Sequence, residues 1–415
     1  MAERRNLLEI DGDRLWSTLE ASAGIGPGKA GGLRRLALGD ADKEMRDLFV
    51  SWCEQAGCTV TVDKVGNIFA RRPGSEEGLP PVVIGSHLDT QAAGGRYDGI
   101  LGVLSGLEIV RCLNERDIAT RRPIEVVSWT NEEGARFQPP MIASGAFAGV
   151  YDLDWVLAQR DDDGLTYGEE LVRIGYDGAA AVGGRDLDSY FELHIEQGPI
   201  LEAEGVPLGV VTKGYTTHGM HVDVFGETAH SGPTPMDKRR NALIGAALLA
   251  VRVNEIGWEH HESDGKSTVP RVVCWPNKPG ILPEYAQVTV DVRHPDPATA
   301  GRMFADVEAA LADCAEKANV EMKPAAVWTF GDEVFDPELI QGVKAAAEAL
   351  SVPCREIFSQ AGHDAYHISK IAPTALLFTP CKDGITHNEA EHIEPDYTFP
   401  GVNVLLNAVL ARADR

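Results

Sequence analysis

Short apolar runs that alternate with helix-length segments constrain this chain more than any other feature. PVVIG ends at Gly85, a helical stretch spans about Gly99 to Asn114, and PIEVVSWT begins at Pro123. Strands this apolar are buried on both faces, so the pattern predicts an α/β domain: a mainly parallel sheet with helices on both faces. Upstream, ADKEMRDLFVSWCEQAG sets Met45, Leu48, Phe49, Trp52 and Ala56 at helical spacing, with Asp40 as the cap. CTVTVDKVGNIFARRPG reads as two strands around a turn at Lys64–Asn67. Functional loops of such sheets gather at the carboxyl ends of the strands. GSHLDTQAAGGRYDG (85–99) sits at one such end and TNEEGARF (130–137) at the next.

The pattern then changes. Residues 151–188 are rich in Gly and Asp and read as loop, before SYFELHIEQG (189–198) returns to a strand. After VPLGVVTKG, HGMHVDVFG alternates with period two, and RRNALIGAALLAVRVNEIG reads as a helix. VVCW and YAQVTVDVRH read as strands, and PATAGRMFADVEAALADCAEKA as a helix. This β–α–β–β–α series over residues 215–329 predicts a small inserted α+β sandwich. Residues 1–214 and 330–415, ending in a long helix from Tyr397, form the discontinuous remainder, and a 415-residue length also predicts two domains.

Composition narrows the function. A net charge of −25, from 63 acidic against 38 basic residues, disfavours nucleic acid and anionic membranes as partners. No apolar window reaches the ~18 residues of a membrane-spanning helix. The leading segment MAERRNLLEIDGDRLW lacks the apolar core of a signal peptide, so a cytoplasmic location is expected. Seven cysteines without a CxxC pair are expected to be reduced, mostly buried thiols.

Five groups of metal-type ligands lie near predicted strand ends: His87/Asp89/Asp98, Glu132/Glu133, His194/Glu196, His363/Asp364 and His387. Imidazole and carboxylate donors suit zinc, manganese, cobalt or nickel. A lone strand-end histidine is ordinarily a satisfied core or surface residue, and the bland alternative is five independent solvated loops. Glu132–Glu133 is the informative pair: one carboxylate can ligate while its neighbour takes a proton from water and passes it to a leaving nitrogen.

The motifs GSHLDTQAAGGRYDGILGV, TNEEGARF, ELHIEQGPILE, AHSGPTPMDKRRNAL, GHDA and THNEAEH occur in an order that identifies a family. The chain resembles the dinuclear-metal amidases related to aminoacylase and carboxypeptidase G. It is most similar to the branch of N-carbamoyl-L-amino-acid hydrolases, β-ureidopropionases and allantoate amidohydrolases. The resemblance implies two divalent metal ions bridged by Asp98. His87 and His194 would complete one, and Glu133 and His387 the other. Asp89 would orient the His87 imidazole. Glu132 would be the general base acting on the bridging water. His230 would reach across a homodimer to the tetrahedral oxyanion, and Arg293 would hold the substrate carboxylate. Gln197, Gly362 and His363 are expected beside the substrate, with His218 and Asn277 from the inserted domain.

Three positions depart from the family pattern. Gly280, in PNKPGILP, stands where an asparagine usually meets the substrate carboxylate, and Asn277 is near it without being equivalent. TTHGM, bringing His218, replaces a Gly-Gln-Arg-aromatic run, and Gln360 replaces a glycine. The leading expectation is therefore hydrolysis of a linear C–N bond in a small N-carbamoyl amino acid. An N-acyl amino acid amidohydrolase or dipeptidase using the same ligands is the alternative within enzymes. A catalytically silent binding protein of the same fold is the alternative outside them.

Overall fold

The computed structural model of the chain describes residues 7–76 and 78–415; residues 1–6 of the leading segment considered above lie outside them. Two compact units form: the chain up to Lys213 together with Val334–Arg415, and Gly214–Glu333. The first strands are β1 Thr59–Val62, β2 Ile68–Arg72, β3 Val82–His87, β4 Ile124–Trp129, β5 Ser189–Ile195 and β6 Leu208–Gly214. Next come β7 Thr216–Phe225, β8 Lys266–Trp275, β9 Tyr285–His294 and β10 Glu321–Phe330, then β11 Cys354–Ser359 and β12 Thr374–Thr379.

The larger unit holds an eight-stranded sheet ordered β1-β2-β4-β3-β5-β12-β6-β11. Its four central strands, β4, β3, β5 and β12, run parallel. Antiparallel pairs, β2 with β4 and β12 with β6, extend that block on both sides. Every residue of the four central strands is buried, which is why they read as continuous apolar runs. Each buried Val or Ile there contributes roughly 1.5–3 kcal/mol through removal from water. Helices Asp40–Gln55, Ile100–Glu115 and Pro395–Ala413 pack against the sheet.

The smaller unit is an antiparallel sheet ordered β10-β7-β9-β8, packed with helices Ala242–Glu259 and Pro297–Ala318. Met220, Val222 and Val224 of β7 and Val288, Val290 and Val292 of β9 join Leu249, Val253, Met303 and Val307 in its core.

Three local readings need correction. The inserted series ends in an additional strand, β10, which carries Pro324 and a bulge between Pro324 and Ala326 and is largely exposed, so it lacks apolar alternation. Within residues 151–188 two helices form. Leu153–Leu157 is capped by Asp152, and Tyr167–Ile174 by a Thr166/Glu169 capping box. Gly39, not Asp40, is the cap of the 40–55 helix, and Asp40 lies in the first turn. There it pairs with Arg173 at 2.5 Å, while the Asp42 carboxylate accepts the Leu38 N–H at 2.8 Å. All seven cysteines are free. Among the described residues no helix is long and apolar enough to cross a membrane.

Candidate metal centre

The parallel register brings the strand ends together. His87, the last residue of β3, pairs with Trp129, the last of β4, and His194 of β5 pairs with Phe378 of β12. The loops after β3 and β4 therefore leave the sheet at one level. Asp98 closes the first of these loops just before helix Ile100–Glu115. The next residue, Gly99, has φ +68, and a Cβ there would collide with the His87 ring. Only glycine combines that backbone with so close an approach.

Asp98 lies between two sets of donors. Its Oδ1 is 3.0 Å from His194 Nε2 and 3.5 Å from His87 Nε2. Its Oδ2 is 3.5 Å from His387 Nε2, which is 3.2 Å from Glu133 Oε2. His87/Asp98/His194 and Asp98/Glu133/His387 each gather their ligand atoms within 4.8 Å. A tetrahedral ion with ~2.1 Å bonds sets its ligand atoms ~3.4 Å apart, so these spacings fit a divalent cation in each group. The Nδ1 atoms of His87 and His194 lie 2.9 Å from the main-chain carbonyls of Asp89 and Ile195. Donation there leaves each Nε2 lone pair turned to the centre. Burial opposes ionisation of Asp98, yet the imidazoles of His194, His87 and His387 hold its carboxyl well below the usual range.

The surrounding side chains divide the work. Glu132 belongs to neither donor group, although its Oε2 is 3.5 Å from His87 Nε2. Burial, with Asp364 and Glu133 adding to it against the pull of His87, raises its pKa well above the carboxylate norm. Asp89 does not orient His87 through its carboxylate, which stands 3.9 Å from Nδ1. That carboxylate instead accepts the Glu132 and Glu133 main-chain N–H groups at 3.2 and 3.3 Å, fixing the acidic pair. Gln91 holds the Glu133 carboxylate through its main-chain N–H at 3.1 Å and its side chain at 2.8 Å. Gln197 donates to Asp98 Oδ2 at 2.8 Å.

His363 is buried with its ring centroid 4.5 Å from that of His194. Burial, reinforced by the nearby His194, holds its pKa well below normal and keeps it neutral. Gly362 precedes it, half-buried. Beneath the centre, Glu192 accepts from Ser86 at 2.8 Å, Tyr190 at 3.0 Å and the Ala365 N–H at 2.9 Å, joining β3 and β5 to the helix after His363. Gln91 and Glu192 went unread in the sequence, where a loop Gln and an acid inside an apolar run carry no distinguishing pattern.

The remaining expected residues lie in the smaller unit. His230 is exposed, and its Nδ1 accepts the Gly232 N–H at 3.1 Å. The His218 ring stacks on Phe304 at 5.1 Å, and its Nδ1 is 2.9 Å from Thr329 Oγ1. Asn277 is exposed with φ 43, and Gly280, at φ +85, has open space where a side chain would be. The Arg293 fork is engaged by Asp291 two residues earlier, at 2.7 and 2.9 Å.

Comparisons with known proteins show the family. The family model described as Peptidase family M20/M25/M40 matches residues 83–411. An N-carbamoyl-L-amino-acid amidohydrolase of Rhizobium meliloti is 46% identical over 405 residues, covering 98% of this chain and 97% of that one. A ureidoglycolate hydrolase of Oryza sativa is 30% identical, covering 96% and 84%. The crystal structure of an amidase of the hydantoinase/carbamoylase family from Burkholderia vietnamiensis superposes with a TM-score of 0.96 at 48% identity, covering 98% of each chain. The chain is thus a hydrolase that belongs to peptidase family M20/M25/M40.

Proposed function

We propose that the chain hydrolyses the linear C–N bond of a small N-carbamoyl amino acid. The observation that carries this is Asp98, which offers one oxygen to each of two donor groups while Glu132 stands beside them in neither. His87, Asp98 and His194 would hold one divalent ion, and Asp98, Glu133 and His387 a second. When bound, such ions would supply Lewis acidity to the attacking water and the scissile carbonyl.

Glu132 takes the proton of the attacking water and returns it to the leaving nitrogen. Asp89 keeps Glu132 and Glu133 in their separate positions by gripping both main-chain N–H groups. Water adds to the ureido carbonyl and the C–N bond to the amino acid breaks. The carbamate left behind falls apart into carbon dioxide and ammonia. Neutral His363 and Gln197 flank the substrate. Arg293 exchanges Asp291 for the substrate carboxylate, and His230, from the partner subunit of a homodimer, donates to the oxyanion. The R. meliloti relative, named for this reaction, supports the substrate class.

The altered corner at Gly280 and His218 favours a second reading, an N-acyl amino acid amidohydrolase or dipeptidase with the same centre. Free amine released from acyl substrates without ammonia would select it. The test of the mechanism is Glu132→Gln, expected to keep its metal and lose turnover by roughly 10²- to 10⁴-fold. Near-normal turnover would remove Glu132 from the base position.

A further inference from the structure

We propose that Glu391, acting with Thr386, positions Asp98 and thereby sets the affinity of the centre for metal; this rests on the two-ion reading above. Glu391 is buried in the THNEAEH segment, four residues beyond His387, and belongs to neither donor group. Its Oε1 accepts the main-chain N–H of Tyr97 at 2.9 Å and that of Asp98 at 3.1 Å. Its Oε2 lies 3.0 Å from the Thr386 hydroxyl. The same hydroxyl lies 2.9 Å from Asp98 Oδ2, the oxygen turned toward His387. One buried carboxylate thus fastens the main chain of the shared ligand, and through Thr386 reaches that ligand's own carboxylate.

The approach depends on residue 95 having no side chain. A Cβ on Gly95 would collide with the Glu391 carboxyl group, so the bare backbone at Gly95 makes room for this contact. A ligand free to swing by even an ångström loses the fixed spacing that two ions require of a shared carboxylate. Burying an acid among acids is costly unless its oxygens are satisfied, and here the partners are Asp98 itself and the residues that precede Asp98 and His387. Removing partners behind a first ligand typically weakens metal binding by roughly 10- to 100-fold.

The experiment is a competitive-chelator titration of the full chain with Zn²⁺ and with Mn²⁺, on the wild type, Glu391→Ala and Thr386→Val. The expected result is metal binding weakened roughly 10- to 100-fold in Glu391→Ala, with a smaller loss in Thr386→Val. Turnover of Glu391→Ala is expected to recover toward wild type as metal is raised to saturation. A purely structural clip would lower the melting temperature of metal-free Glu391→Ala and leave metal affinity at the wild-type value, and that outcome would overturn the proposal. Should Glu391→Ala not fold, unchanged affinity in the nearly isosteric Thr386→Val would overturn it equally. A wild-type chain that takes up neither metal would overturn the two-ion reading beneath it.

Discussion

Asp98 is the residue on which the two donor groups converge, so its loss and the loss of any other ligand must differ in kind. Asp98→Ala is expected to release both ions, whereas His387→Ala should release one and keep the other on His87, Asp98 and His194. Metal counting by mass spectrometry on dialysed protein checks this, and Asp98→Ala retaining one tightly held ion would contradict a shared role. The ligand types were legible in the sequence because His and Asp/Glu recur where predicted strands end. The supports behind them were less so. Asp89 reads as the partner of the His87 imidazole, but a two-residue spacing does not tell a carboxylate from the main-chain carbonyl of the same residue. The carbonyl faces the ring at 2.9 Å. Glu391 reads as one more acid on a chain of net charge −25, since burial by a facing glycine has no local signature.

At the scale of elements, the buried parallel strands were the most legible part. Residues covered on both faces are mostly apolar, and β3, β4, β5 and β12 are buried at every position. β10 escaped because an edge strand with Pro324 and mostly exposed residues follows no buried pattern. The helices at Leu153 and Tyr167 escaped because Gly- and Asp-rich surroundings mask short helices held by their caps. The exposed turn that bears His230 follows β7 in the smaller unit, away from any donor of the larger unit's two groups in sequence. His230→Ala should therefore leave metal content unchanged and lower kcat by roughly 10²- to 10³-fold, the usual cost of one oxyanion donor. Unchanged kcat in a steady-state assay would remove His230 from the transition state.

The whole molecule joins a discontinuous unit that holds every donor of both groups to an inserted unit with its own apolar core. Asp89, Asp98, Glu132, Glu133, Glu192 and Asp364 are all buried in the larger unit. So many buried acids in one place are stable only when opposite charge offsets them. Divalent ions held by the two donor groups would provide that charge, which would tie the acidity of this unit to its chemistry. The most direct measurement is ammonia release from N-carbamoyl-L-amino acids by the chain stripped with a chelator, and again after Zn²⁺, Mn²⁺, Co²⁺ or Ni²⁺ is restored. The predicted result is no release from the stripped chain and recovery with at least one of these ions. Release that persists without metal, or none with any of them at saturation, would contradict a metal-dependent carbamoyl hydrolase.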